Sequence, residues 1–143
     1  MRILGNRSSS LVASVAIVTD DVVTAEYTVN LKKTHSQTLP PMIDQMMGLL
    51  EMELDTVDAI AVSGGPGSFT GLRIGSATGK GLGLALNKPL IHVPTMDAMA
   101  YNLYGANALI CPIMDARRSS IYGTLPFFGF FRSGEGAVAV GYQ

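Results

Sequence analysis

The sequence predicts an α/β fold in which helices pack on a mixed sheet. The first thirty residues contain short period-two patterns separated by turns, which is typical of antiparallel strands. The later part alternates short apolar strands with segments of helical spacing, which is typical of β-α units. The chain has 143 residues, of which 48% are hydrophobic. This length suits one domain or two small lobes that share a core, with the element order β-β-β-α-β-α-β-α-β.

The antiparallel start is predicted from residues 1–29. Met1 to Gly5 is expected to form a strand beside a hairpin over residues 11–29. Asp20 and Asp21 mark the turn of that hairpin, because both residue types favour turns over strands. The return strand should place four side chains on one face, namely Val23, Ala25, Tyr27 and Val29.

The first helix is predicted over residues 35–54. Pro40 and Pro41 are tolerated only in a first helical turn, so the start should lie between Ser36 and Leu39. The apolar positions with helical spacing are Met42, Ile43, Met46, Met47, Leu50 and Leu54. The elements predicted after it are a strand at 57–62, a helix at 71–86, a strand at 89–93, a helix from Thr95 to Gly105, and a strand at 108–114.

The loop between the strand at 57–62 and the next helix is rich in glycine. Residues 63–75 read SGGPGSFTGLRIG and match neither the P-loop, nor the dinucleotide-binding fingerprint, nor the nucleophile elbow. Two interpretations stay open. The glycines can simply shape a tight turn, or free N–H groups at the helix start can bind an anion. The residues for the second interpretation are Gly65, Gly67, Ser68 and Thr70.

The helix after this loop carries glycines four residues apart, at Gly71, Gly75, Gly79 and Gly83. Each glycine inside a helix costs about 1 kcal/mol relative to alanine, so this spacing indicates that something approaches the backbone closely. The approaching element is either part of the same chain or a second subunit. The methionines of the first helix likewise have two interpretations. They belong either to the core of the chain or to an adaptable surface that binds a second subunit.

Composition excludes several classes of function. The net charge is −1 and 15% of residues are charged, which is not the basic footprint of a stand-alone nucleic-acid-binding protein. Cys111 is the only cysteine, and His35 and His92 lie far apart, so neither a metal site nor a cofactor is expected. No apolar stretch is long enough to span a membrane, and the expected compartment is the cytoplasm.

One segment resembles a known family. Residues 58–75, DAIAVSGGPGSFTGLRIG, closely resemble the signature of the TsaB family, bacterial tRNA threonylcarbamoyladenosine biosynthesis proteins once labelled glycoprotease-like. Weaker similarity lies at Arg2 to Gly5, at His35-Ser36, and at Met114 to Arg118 followed by Ile121-Tyr122. The resemblance covers roughly residues 1–123.

The resemblance implies an actin-like, ribonuclease H-like fold. Residues 1–113 would form the N-terminal lobe, and most of the second lobe would be absent. Residues 114–143 would be either a remnant of that second lobe or a divergent tail. The tail contains five large apolar residues, which are expected to cover surface that the second lobe would bury (Leu125, Phe127, Phe128, Phe130 and Phe131). Family members usually begin with Gly-Ile-Asp-Thr-Ser, where this chain has residues 5–9, GNRSS, and so lacks the acid.

The resemblance also implies a non-catalytic scaffold that binds the paralogous transferase subunit TsaD and the ATPase subunit of the complex, with tRNA contacted only indirectly. Alone, the chain is expected to form a homodimer through helices 38–54 and 71–86. Two alternatives stay open: a nucleotide-binding actin-like enzyme that uses the loop 64–71, and a glycoprotease-like peptidase. The predicted interface residues are Leu39, Met42, Ile43, Met46, Met47, Leu50, Leu72, Gly71, Gly75, Thr78, Gly79, Leu82 and Gly83.

Overall fold

The computed structural model of the chain describes residues 1–30, 35–117, 120–123 and 137–141. The chain divides into two compact units, Met1–Val93 and Pro94–Gln143. The predicted lobe boundary, between residues 113 and 114, falls inside the second unit and stays a prediction. The expected role of the aromatic residues at 125–131 lies outside the described residues.

The first unit contains the strands β1 (Arg2–Arg7), β2 (Ala13–Thr19), β3 (Val22–Val29), β4 (Ala59–Ser63) and β5 (Leu90–Val93). They form a five-stranded mixed sheet with the order β3-β2-β1-β4-β5. Strand β1 pairs antiparallel with β2 and parallel with β4, so it joins the hairpin to the β-α part of the chain. The predicted mixed α/β architecture is therefore confirmed.

The hairpin β2–β3 contains an irregularity that the period-two pattern did not predict. Ile17 pairs with Ala25, but the next pair is Val18 with Val23, so the register shifts by one residue. Such a bulge moves the following side chains to the other face of the sheet. Val23 was predicted to share a face with Ala25, which is wrong: it pairs with Val18 and is 59% exposed.

Helix α1 (His35–Leu49) begins one residue before the predicted range and ends five residues earlier than predicted. Pro40 and Pro41 therefore lie in its second turn. The helix ends in a Schellman motif: Glu51 adopts a left-handed conformation with φ 52°, and the Met52 N–H donates to the Met47 carbonyl at 3.0 Å. A short 3₁₀ helix, Leu54–Thr56, then leads into β4.

Helix α2 (Phe69–Leu86) is capped at both ends by the residues that flank it, Ser68 and Asn87. The Ser68 hydroxyl accepts a hydrogen bond from the Gly71 N–H at 3.3 Å, which satisfies one of the free donors of the first turn. At the other end Asn87 takes the left-handed conformation, with φ 52°, and the Lys88 N–H donates to the Gly83 carbonyl at 2.9 Å.

The core of the first unit lies between the sheet and these two helices. Helix α1 packs on β2 and β3, α2 packs on β4, β1 and β5, and the helices contact each other. Each large aliphatic side chain buried here contributes about 1.5–3 kcal/mol. The core cluster consists of Leu4, Ala13, Val15, Ile17, Leu39, Met42, Ile43, Met46, Met47 and Val57.

The second unit contains helix α3 (Thr95–Tyr101) and three strands, β6 (Leu109–Arg117), β7 (Ser120–Gly123) and β8 (Ala137–Gly141). The strand order is β7-β6-β8, with β6 antiparallel to β7 and parallel to β8. Helix α3 packs on β6 and ends before the predicted stop at Gly105. None of the helices within the described residues combines the length and the hydrophobicity that a membrane-spanning segment requires.

Candidate functional site

The Gly-rich loop connects β4 to α2 and is tied to neighbouring strands by its backbone. The Gly64 N–H donates to the Val93 carbonyl at 2.8 Å, and the Ser68 N–H donates to the Ser9 carbonyl at 2.7 Å. A Cβ on Gly67 would overlap that same Ser9 carbonyl oxygen. Gly65 has φ +97°, a conformation that favours glycine. The structure therefore explains three of the loop glycines as parts of a tight connection.

The same hydrogen bonds bear on the predicted anion site. The Ser68 N–H and the Ser68 hydroxyl are both used inside the chain, by Ser9 and Gly71 respectively. Gly67 packs against the backbone of Ser9 rather than facing open space. Anion binding by Gly65, Gly67, Ser68 and Thr70 stays a prediction, with fewer donors at hand than the sequence suggested.

The four glycines at 71, 75, 79 and 83 form the buried face of α2, which packs on the sheet of its own chain. A Cβ on Gly75 would overlap the Ser8 hydroxyl and come within 2.9 Å of the Asn6 Oδ1 atom. A Cβ on Gly79 would overlap the Val62 Cγ1 atom. The intramolecular interpretation is correct for this face. Its proposed use as a subunit interface is wrong, because the sheet already occupies the space.

The apolar face of α1 is likewise buried inside its own chain. Leu39 is fully buried, and the four others predicted with it, Met42, Ile43, Met46 and Met47, are only 3–4% exposed. These side chains form the core against β2 and β3, so they are not available to a second molecule. The remaining predicted interface residues are only partly buried, namely Leu50, Leu72, Thr78 and Leu82.

Both helices also carry residues that the rest of the chain leaves exposed. We define the outer helix surface as Gly48 and Leu49 on α1 with Ala77, Gly81 and Leu84 on α2. Leu49 is 85% exposed and Leu84 is 87% exposed. A Cβ on Gly48 or on Gly81 would meet nothing within 4 Å. Glycine inside a helix costs about 1 kcal/mol relative to alanine, and nothing within the described residues requires glycine at either position. The two glycines therefore indicate a surface that another molecule approaches closely.

Buried polar groups lie under α2 at the end of β1, and sequence reasoning missed them. The Ser8 hydroxyl donates to the Gly71 carbonyl at 2.8 Å. Asn6 is 5% exposed, and neither its amide nitrogen nor its oxygen has a partner within the described residues. The signal available in the sequence was the position of Asn6, two residues after the core residue Leu4 in a strand of period two.

Replacing Asn6 is expected to stabilise the chain. Asn6→Leu keeps the branched shape and removes two buried polar atoms without partners, so the free energy of unfolding should rise by about 1–2 kcal/mol. Asn6→Asp should lower it, because a buried carboxylate is harder to desolvate than an amide. Urea unfolding of the three proteins measures both effects. A lower stability of Asn6→Leu would show that the amide is satisfied in solution.

The titratable residues discussed from the sequence lie on different elements of the chain. His92 is exposed on β5, Asp115 lies on β6 in the second unit, and the side chain of His35 lies outside the described residues. Among the described residues no group of three or more His, Cys, Asp or Glu side chains is placed to hold a metal ion.

Known proteins match this chain across both units. The family model described as TsaD, tRNA N6-adenosine threonylcarbamoyltransferase, matches residues 23–135. The TsaB protein of Bacillus subtilis is 36% identical over 122 residues, which are 85% of this chain and 53% of that protein. The TsaB protein of Escherichia coli is 33% identical over 124 residues, with the same coverage. The chain belongs to the TsaB family.

A solved structure supports the predicted actin-like fold. A Pseudomonas aeruginosa protein, titled an uncharacterized protein with similarity to peptidase YEAZ, superposes with a TM-score of 0.76 at 30% identity. The match covers 85% of this chain and 57% of that one. This chain thus spans about half the length of the curated TsaB proteins and solved structures that it matches.

Proposed function

We propose that this chain acts in the formation of threonylcarbamoyladenosine in tRNA, as a non-catalytic subunit that binds the paralogous transferase TsaD. Relatives named TsaB, a tRNA threonylcarbamoyladenosine biosynthesis protein, match 85% of the chain. A relative named as the transferase itself, from Novosphingobium aromaticivorans, matches 48% of the chain and 19% of its own length. Among the individual relatives the match to TsaB is therefore the longer one, which supports the accessory role, while the family model described as the transferase spans residues 23–135.

The observation that carries the proposal is the outer helix surface. Two neighbouring helices expose large apolar side chains at Leu49 and Leu84, and glycines at Gly48 and Gly81. Exposed glycine permits close approach of another helix, and exposed leucine gains free energy when it is covered. We propose that helices of TsaD cover this surface, and that a second copy of the chain covers it when TsaD is absent.

Reconstitution tests this function. The purified chain mixed with TsaD should elute from gel filtration as one complex, while the chain alone should elute as a dimer. Adding the chain to TsaD, the ATPase subunit and the remaining substrates should raise the yield of threonylcarbamoyladenosine in tRNA. The chain without TsaD should give none. A mixture that elutes as two separate proteins, or product formed by the chain alone, would contradict the proposal.

A further inference from the structure

An open cleft of about 510 Å³ lies in the first unit beside the outer helix surface, where α2 faces the edge strand β5. Helix α2 contributes Arg73 and Lys80, and β5 contributes His92. Ser63, at the end of β4, and Ser76 add hydroxyl groups. None of the residues that line the cleft is acidic. Its polar lining therefore consists of cationic, imidazole and hydroxyl groups only.

The two cations of α2 are placed to act together. They are seven residues apart, so both lie on one side of the helix, with their Cα atoms about 10 Å apart along the helix axis. The Lys80 ammonium group has no ion-pair partner among the described residues, and α2 contains no Asp or Glu. The Arg73 Cζ atom lies 5.4 Å from the centroid of the Phe69 ring, which also lines the cleft. This stacking orients the guanidinium group and leaves its N–H donors available.

The imidazole of His92 is placed by a glycine. A Cβ on Gly64 would overlap the His92 ring, so only glycine at this position lets the ring lie against the loop. The Gly64 N–H is bonded to the Val93 carbonyl, which ties the loop to β5 next to the ring. The glycine at position 64 and its hydrogen bond to Val93 thus hold the His92 ring at the cleft.

We propose that this cleft binds a small phosphorylated ligand, with its phosphate groups between Arg73 and Lys80 and its apolar part against Phe69. Arginine and lysine are the side chains that recognise phosphate most strongly, and Phe69 is 74% exposed. The volume is in the range of small-molecule sites, about 300–1,000 Å³. A long RNA fits less well, because the chain carries a net charge of −1.

Calorimetry on the isolated chain tests the proposal, with pyrophosphate and ATP as probes in magnesium-free buffer. Both probes should bind, and ATP should bind more tightly because its base can pack on Phe69. Lys80→Ala and Arg73→Ala should each weaken both probes by about tenfold or more, since each removes a charge-assisted contact. Phe69→Ala should weaken ATP more than pyrophosphate.

Lys88→Ala is the matched control, because Lys88 follows α2 but does not line the cleft. Its affinity for both probes should equal that of the wild-type chain. Three results would each overturn the proposal: no binding of either probe at millimolar concentration, equal losses with Lys88→Ala and Lys80→Ala, or binding of a single-stranded RNA without binding of ATP or pyrophosphate. All measurements use the chain without TsaD, so a failure of TsaD binding does not affect them.

Discussion

Gly79→Ala is expected to destabilise the chain by about 1–3 kcal/mol, the usual cost of adding a group to a tightly packed interior. The added Cβ would overlap Val62 Cγ1, and it would lie 3.3 Å from Leu90 Cδ1. Val62 is β-branched and its strand pairs with β1 and β5 on both sides, so it has little room to move away. The gain in helix propensity from glycine to alanine, about 1 kcal/mol, does not offset this overlap fully.

Gly81→Ala is the matched control for this prediction. Gly81 lies on the same helix, two residues further on, and a Cβ there would meet nothing within 4 Å. The same chemical change should therefore raise the free energy of unfolding by about 0.5–1 kcal/mol. Urea unfolding curves give both values. Equal stabilisation by the two variants would mean that the buried face of α2 does not pack on the sheet as described.

The packing of the glycine face of α2 on the sheet changes how partner binding can be tested. Leucine at Gly75 or Gly79 is a natural test if the glycine face binds a second subunit. In the structure, leucine at either position would collide with β1 or β4 and disrupt the fold itself. Loss of binding in such a variant would then report unfolding. Only variants on the outer helix surface separate binding from stability.

The element order and the sheet type could be predicted from sequence because both depend on local patterns. Alternation over β2 and β3, the glycine turn after β4 and the helical spacing in α1 and α2 each specify a local geometry. One helix end differed for a local reason. Glu51 takes a left-handed conformation that is usual for glycine, and it ends α1 five residues early.

The face of α2 that is available to a partner could not be predicted in the same way. A four-residue spacing shows that Gly71, Gly75, Gly79 and Gly83 share a face, but it does not show what covers that face. A sheet of the same chain and a helix of a second chain both require small residues there. The side chains of Asn6, in β1, and Ser8, directly after it, decide the matter, because they lie against Gly75 and belong to the same chain. That contact joins residues about seventy positions apart.

The double variant Leu49→Asp, Leu84→Asp is expected to weaken binding to TsaD by about a hundredfold or more. Both side chains are more than four-fifths exposed in the isolated chain. Covering them with apolar side chains of a partner would bury two carboxylates in the variant, and an unpaired buried charge opposes association strongly. A loss of this size equals about 2.7 kcal/mol, which is typical of central interface residues.

The folded state should tolerate the same double variant, since surface substitutions usually change stability by less than about 0.5 kcal/mol. Leu11→Asp is the control: Leu11 is 69% exposed, lies between β1 and β2 and is not part of the outer helix surface. Its affinity for TsaD should be unchanged. If the double variant binds TsaD as tightly as the wild-type chain, the partner contacts another surface. If the double variant loses TsaD but keeps the dimer, TsaD and a second copy use different surfaces, because one shared surface requires both to be lost together.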